Sequence, residues 1–232
     1  MNAPPNHAAN ADRPAPPRTL PRGPAAAPAS TRVPRQERGR RRIDAILDAA
    51  AALIGEVGTE AVTVQALAAR AGASKGSMYH FFPDRESVFL ALAERHVDAL
   101  RACLADAREA RGELVAAGTA DDAAEAFLRP VYDYVDQHPD LPRMLAEPAS
   151  LERLAAQRAA LHAVIEGHGE WIVRARNPRL AADEVSLVAA AMLAILSAMR
   201  SDRLSGRVPG PDAARREARR ILRAYLQSYE AG

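Results

Sequence analysis

The chain has 232 residues, enough for one long or two short domains at about 100–200 residues each, and its 31 Lys and Arg against 29 Asp and Glu give a formal net charge of +2. The charge is uneven: residues 1–42 carry nine Arg against Asp12 and Glu37, a local +7 that leaves −5 for the other 190 residues. A single cysteine, Cys103, excludes an intramolecular disulfide framework, and no CxxC or Cys/His spacing suggests structural zinc. No stretch of 18 residues is free of charge and long enough to span a bilayer, so a soluble, cytoplasmic protein in a reducing compartment is expected, with no membrane partner. Ala- and Arg-rich usage with aromatics at 4% favours helix. Lys75 is the only lysine, so the preference for Arg belongs to the composition as a whole and marks no single position.

Nine of the 17 prolines lie in residues 1–34, mixed with Ala, Asn and Arg. Such a segment buries too little surface to offset its ordering entropy, and residues 1–38 are read as a disordered Pro/Ala/Arg-rich arm. Helical periodicity begins near residue 40. Ile43, Ile46, Leu47, Ala50, Leu53, Ile54 and Val57 follow the i, i+3, i+4, i+7 rule until Gly58 stops the run. Thr63 to Arg70 predicts a short second helix ended by Gly72, and Ser74 to Phe82 a third, with a turn of three or four residues between them. Pro83 closes the third helix, and Asp84 can cap a long fourth. On it, Phe89, Leu92, Ala93, His96, Val97, Leu100, Cys103 and Leu104 form one stripe, which makes His96 a core histidine and Cys103 a small buried hydrophobe. Residues 111–121 read as a loop. Phe127, Leu128, Val131, Tyr132 and Val135 mark a helix bent at Pro130, and Pro139, Pro142 and Pro148 break the next stretch into short pieces. Helices are expected over Ser150 to Arg174, over Asp183 to Asp202 and, beyond the Pro209-Gly210-Pro211 breaker, over Asp212 to Ser228. No strand pattern and no internal repeat is found, so the fold class is all-α.

Two short helices joined by a Gly-containing turn behind a longer supporting helix outline a helix-turn-helix. In that unit the first short helix crosses the DNA backbone while the second enters the major groove, which is wide enough for one helix. The second helix here opens Ser74, Lys75, Gly76, Ser77. Short polar side chains and a glycine let its backbone approach base edges, and Lys75 supplies donors for guanine. The turn spacing by itself fits equally an amphipathic hairpin that packs in a bundle and touches no nucleic acid.

The string from Val62 to Leu92 closely resembles the DNA-binding signature of the TetR family of bacterial transcriptional regulators. The matching elements are Thr63, Leu67, Ala68, Ala71, Gly72, the Ser74-Lys75-Gly76-Ser77 opening, Tyr79, Phe82 and the Arg85-Glu86 pair, joined by Ile46, Ala49, Ala50 and Gly58. The rest of the chain matches the family in helicity and length alone. The resemblance implies an N-terminal three-helix helix-turn-helix DNA-binding domain over residues 39–86, then a C-terminal helical ligand-binding and dimerisation domain over residues 87–232. It further implies a repressor that binds a palindromic double-stranded operator as a homodimer and is released by a small-molecule inducer.

Carried onto this chain, the resemblance places the Thr63 hydroxyl and the free amides of the second helix on a phosphate, a role compatible with simple N-capping. Tyr79, His80 and Arg85 would hold phosphates on either side of the groove. Lys75, Ser77, Gln65 and Phe81 are the candidates for base edges, Phe81 through a thymine methyl, with Ser74 and Gly76 on the same face. Arg41 and Arg42, together with Arg38 and Arg40, would add phosphate contacts from the basic arm, which is otherwise a solvated leader. Leu67, Met78 and Phe82 are expected in the core. Ala66 stands where the family commonly has an acidic or polar residue, so a capping interaction is lost there, and Ala73 replaces a larger aliphatic side chain.

In the family the last two helices of each subunit form a four-helix bundle across a two-fold axis. Val188, Met192, Ile195 and Met199 on one helix, and Ile221, Leu222 and Tyr225 on the other, are the candidate dimer interface; the alternative is that these faces pack inside one subunit. Candidate inducer-lining residues are Phe127, Val131, Tyr134, Met144, Leu161, Ile165, His168 and Trp171, mainly apolar with a few polar tips. His162, Glu166 and His168 lack the support of a metal-binding cluster and read as exposed helix residues. No GxSxG elbow, phosphate-binding glycine loop or paired carboxylates frame a catalytic site, so no enzyme and no cofactor is expected. Two other readings stand beside the repressor: an architectural or cell-division factor acting through a protein partner, and a ligand-binding protein that has ceased to bind DNA.

Overall fold

A computed structural model describes residues 35–146, 150–204 and 211–230; the arm before residue 35 and Pro209-Gly210 of the breaker lie outside them. Among the described residues the chain is all-α, with ten helices and no strand: α1 (Arg35–Val57), α2 (Val64–Arg70), α3 (Lys75–Phe81), α4 (Arg85–Ala117), α5 (Ala120–Gln137), α6 (Asp140–Ala146), α7 (Ser150–Arg153), α8 (Ala155–Arg176), α9 (Ala182–Leu204) and α10 (Pro211–Ser228). α1 starts at Arg35, inside the segment read as arm. A Glu37–Arg41 ion pair one turn apart supports that opening.

Three expectations from periodicity are corrected. The loop over 111–121 is the last stretch of α4, whose Ala, Glu and Arg keep high helix propensity and whose Val115 is fully buried. The chain turns at Gly118 and Thr119 instead, where Thr119 and Asp122 cap α5 reciprocally. Among its described residues the Pro-rich stretch after α5 is one helix, α6, with Pro142 in the first turn, where its missing N–H has no intrahelical partner in any case, and Pro148 lies outside them. The helix expected from Ser150 is divided at Leu154, a buried residue with φ −99° and ψ 13° that separates α7 from α8. Pro130 lies inside α5 without ending it.

α4 is capped by Asp84, which accepts a 2.7 Å bond from the Ser87 amide, while Ser87 Oγ accepts from the Asp84 amide. It packs against α1, α5 and α8; α9 lies on α8, and α10 closes over α5 and α9. Arg219 of α10 pairs with Asp121 at 2.6 Å and Glu125 at 3.1 Å, and Arg215 with Asp133 at 3.2 Å, which fixes the register of α10 on α5. α9 is apolar and long enough to cross a membrane by length and composition alone over Ala182–Arg200. Here it buries one stripe, Val185, Val188, Ala189, Met192 and Leu196, and leaves Leu187 67% exposed on the other side. The candidate dimer residues Val188, Met192 and Leu222 therefore belong to the subunit's own core, because the large apolar side chains sit on the inward stripe. Ile195, Met199 and Tyr225 are half-buried against that core, and Ile221 faces solvent.

α8 and α9 approach closely at Gly169, where a Cβ would lie 3.3 Å from Ala189 Cβ and 3.4 Å from the Phe127 ring. Gly169→Val is expected to overpack this crossing and lower the unfolding free energy by about 1–3 kcal/mol in urea titration. Gly169→Ala should cost far less, since one methyl needs only tenths of an ångström and gains helix propensity.

Candidate nucleic-acid interface and effector cavity

The helix-turn-helix is set by three local devices. Thr63 caps α2 by accepting from the Ala66 amide at 3.1 Å, and Ser74 caps α3 by accepting from the Ser77 amide at 3.1 Å. Between them Ala71 and Ala73 amides donate to the Leu67 and Ala68 carbonyls at 2.9 Å. Gly72 takes φ +58°, a left-handed conformation that a side chain would strain. Ala66 offers nothing in return to the Thr63 amide, so α2 has a one-way cap where α4 and α5 have reciprocal ones.

Leu67, Met78 and Phe82 turn inward and are buried, which leaves the opposite face of the hairpin open. Thr63, Gln65, Ser74, Lys75, Gly76, Tyr79 and His80 are exposed there, with Ser77 and Phe81 half-buried. The Thr63 and Ser74 hydroxyls use their lone pairs on helix amides, so each keeps a proton to donate outward. A Cβ on Gly76 would meet nothing within 4 Å. Packing therefore does not demand glycine at that position, and its effect is to leave the α3 backbone bare.

Three basic residues expected at phosphates are engaged within the protein. Arg85 donates from Nη1 to the Thr59 and Val62 carbonyls at 3.3 and 3.2 Å and lies over the Phe89 ring, pinning the α1–α2 turn to the start of α4. Arg42 donates to the Gly72 carbonyl at 3.2 Å, so α1 holds the turn of the hairpin. Arg41 pairs with Glu37. A further brace, unseen in the sequence reading because its partners are 14 residues apart, is the two-bond contact of Arg70 with Glu56, at 3.0 and 2.5 Å. The Arg70 guanidinium holds the Glu56 carboxyl below its usual range.

Farther along the chain, a cavity of about 500 Å³ opens between α4, α5, α6, α8 and α9. Val131, Leu161 and Ile165 line it as expected, joined by Leu100, Val135, Leu141, Leu145, Arg158, His162 and Arg200, which the sequence reading did not assign to it. A neighbouring space of about 490 Å³ shares Val135, Pro142, Ala146 and Arg200 and is bordered by Asp136 and Arg143. The other five candidates lie elsewhere. Met144 is fully buried and lines neither space. Tyr134 belongs to a buried polar cluster: His96 Nδ1 meets its hydroxyl at 2.8 Å and His96 Nε2 meets Asp140 Oδ2 at 2.8 Å. Burial and the Asp140 charge push the Tyr134 hydroxyl up to about 12. His96 is thus a satisfied core histidine, as its stripe implied.

Phe127, His168 and Trp171 form a stack with ring centroids 6.3 and 5.5 Å apart, finished by Arg108 over the Trp171 ring. His168 is 1% exposed, not a surface residue. Arg108 Nε donates to its Nδ1 at 3.3 Å, and its Nε2 lies 3.1 Å from the Ala126 carbonyl. A neutral imidazole protonated at Nε2 satisfies both contacts. Among the described residues no group of three His, Cys, Asp or Glu side chains could hold a metal ion. Cys103 is half-buried, and burial with the nearby Asp106 and Asp133 charges pushes its thiol up.

Burial, and secondarily the Arg108 charge, lower the His168 pKa to about 4, against about 6.5 in an unfolded chain. The unfolded state therefore binds the extra proton between those values, and stability present above pH 6.5 is lost as pH falls toward 4. Urea midpoints measured from pH 7 to pH 4 should decline over that window, and His168→Gln should flatten the part of the decline that this side chain causes.

Residues 46–92 match the family model described as bacterial regulatory proteins, tetR family, and residues 119–226 match the tetracyclin repressor-like C-terminal domain. Among curated proteins none matches significantly. Solved structures share the fold. A TetR transcription regulator from Haloarcula marismortui has 14% identity and a TM-score of 0.63, over 82% of this chain and 98% of its own. The regulator PfmR from Thermus thermophilus has 23% identity and a TM-score of 0.51, over 79% and 95%. The multidrug binding protein EbrR, solved with imidazole, has 20% identity and a TM-score of 0.55, over 79% and 94%. With both its helix-turn-helix and its C-terminal helices matched, the chain belongs to the TetR family of bacterial transcriptional regulators.

Proposed function

We propose that the protein is a ligand-responsive repressor, cytoplasmic and nucleoid-associated, that binds a palindromic operator as a homodimer and leaves it when a small molecule enters the cavity. Residues 39–86 act as the DNA-binding domain and residues 87–232 as the regulatory and dimerisation domain. The observation that carries this reading is the bare N-terminal face of α3, with Lys75, Gly76 and Tyr79 exposed beside the N-cap Ser74. Such a face fits the major groove: Lys75 reaches base edges, while Thr63, Tyr79 and His80 hold phosphates. Arg85, Arg42 and Arg41 serve mainly to brace the hairpin.

One recognition helix covers too few base pairs to mark a genomic site, so two copies must be presented at a helical turn's spacing or more. The dimer contact assigned here is the outward face of α9, Leu187 with Ala190, Ala194 and Ala198, adjoining Ile221 and Ala224 of α10. All six are exposed in the single chain, and small side chains allow close helix approach. An inducer releases DNA only by binding better to the conformation whose recognition helices are wrongly spaced. The route for that signal is α6. Its Leu141 and Leu145 line the cavity, its Arg143 donates to the Ile54 and Gly55 carbonyls at the end of α1, and its Asp140 grips His96 of α4.

The test is fluorescence anisotropy on DNA from the region upstream of its own gene. Lys75→Ala should weaken binding by about tenfold or more, in keeping with about 1–3 kcal/mol for a good base contact. Gly76→Ala should raise thermal stability, since glycine costs a helix about 0.5–1 kcal/mol, and yet weaken binding by obstructing backbone approach. Unchanged affinity in both variants would remove α3 from the interface. Leu187→Glu should give a folded monomer by light scattering, and a persistent dimer would place the subunit contact elsewhere. A genome-wide profile with many dispersed sites, in place of a few promoter palindromes, would favour an architectural factor.

A further inference from the structure

We infer that the 500 Å³ cavity selects a small amphipathic acid, its anionic head held by Arg158 and His162 and its apolar body lying among Val131, Leu161 and Ile165. This rests on the reading of the cavity as the effector site and adds the charge and shape of the molecule it takes. The described lining contains two guanidinium groups and an imidazole, and no carboxylate. Arg158 and His162 are one turn apart on α8, and Arg200 of α9 lines the same space. Among the described residues the Arg158 guanidinium has no ion-pair partner. Among the described residues, Glu166, also on α8, acts on His162 from one turn beyond, and Asp136 borders the adjoining space.

Burial first, and then the Arg158 and Arg200 charges, hold the His162 imidazole below its usual pKa, against the opposing effect of Glu166. Arg158, with no carboxylate in the described lining, gives the site a positive charge over an apolar floor. An arriving anion offsets that charge, whereas a cationic ligand of equal size would add to it. At on the order of 30 Å³ per atom, the share of a water in the liquid, 500 Å³ holds on the order of 15 non-hydrogen atoms. A medium-chain acid or a substituted aromatic acid fits that size.

The experiment uses the full chain at pH 7 with the neutral fluorophore N-phenyl-1-naphthylamine as reporter, displaced by decanoate, decanol or decyltrimethylammonium below their micelle concentrations. Ala146 is exposed at the cavity edge, so Ala146→Trp can obstruct the space without disturbing the core and should abolish reporter binding. Decanoate should displace the reporter at about tenfold lower concentration than either other probe. Arg158→Gln should remove that advantage, Arg158→Lys should restore most of it, and decanol should be indifferent to both. If decanol or decyltrimethylammonium competes as well as decanoate while Ala146→Trp still blocks the reporter, charge selection is overturned and the effector site stands. If Arg158→Gln keeps the full preference for decanoate, the assigned head-group site is wrong. If the reporter does not bind, or binds Ala146→Trp equally, the cavity is no effector site and the inference falls with it.

Discussion

The fold depends on α4 remaining one unbroken helix. At 1.5 Å per residue its 33 residues span about 50 Å, and its buried stripe runs from Val88 to Val115, serving the DNA-binding helices at one end and the α5–α8 core at the other. The start of this rod is fixed by the reciprocal Asp84–Ser87 cap and by Arg85 on the Thr59 and Val62 carbonyls. An Arg95–Asp48 pair at 2.7 Å then binds it to α1. Because both halves share α4, neither can rotate freely with respect to the other. α1 packs on α4, α2 on α1 and α3 on α2, which links α3 to this rod in series.

α6 supplies the second constraint. It is only seven residues long, too short to be stable alone, and it survives because each side is claimed by a different neighbour. Asp140 is buried against His96, Arg143 reaches the carbonyls that end α1, and Leu141 and Leu145 wall the cavity. α6 thus joins the cavity wall to both α1 and α4. The connection runs through hydrogen-bonded groups with discrete partners, which favours two arrangements over a continuous range.

The hairpin was legible because its signals are local: Thr63 and Ser74 as caps, Gly72 as the left-handed residue, and Leu67, Met78 and Phe82 on one face at helical spacing. The end of α4 is hard to read from sequence because a turn of two residues, Gly118 and Thr119, carries less signal than the Gly112-containing stretch before it. Arg85 and Arg42 were assigned to DNA on charge and resemblance, and a linear reading cannot show that carbonyls from a distant turn come within their reach. The dimer stripe is only partly available for a related reason. Periodicity identifies which residues share a face of α9, but a large apolar face such as Val188 and Met192 serves the subunit's own core first. The cavity was found only in part, since Phe127, His168 and Trp171 have the same apolar-with-polar-tip chemistry as a binding wall and spend it on a closed stack.

The solitary lysine gives the recognition helix a chemical individuality that arginine-rich surroundings sharpen. Lys75 is exposed, and no other side chain offers a primary amine. Acyl donors that ignore guanidinium groups would thus convert an ammonium to a neutral amide at α3 and at no other side chain, erasing one positive charge on the exposed start of that helix. A single-site isotope or fluorophore label could be installed there by ordinary amine chemistry, provided the chain's terminal amine is blocked.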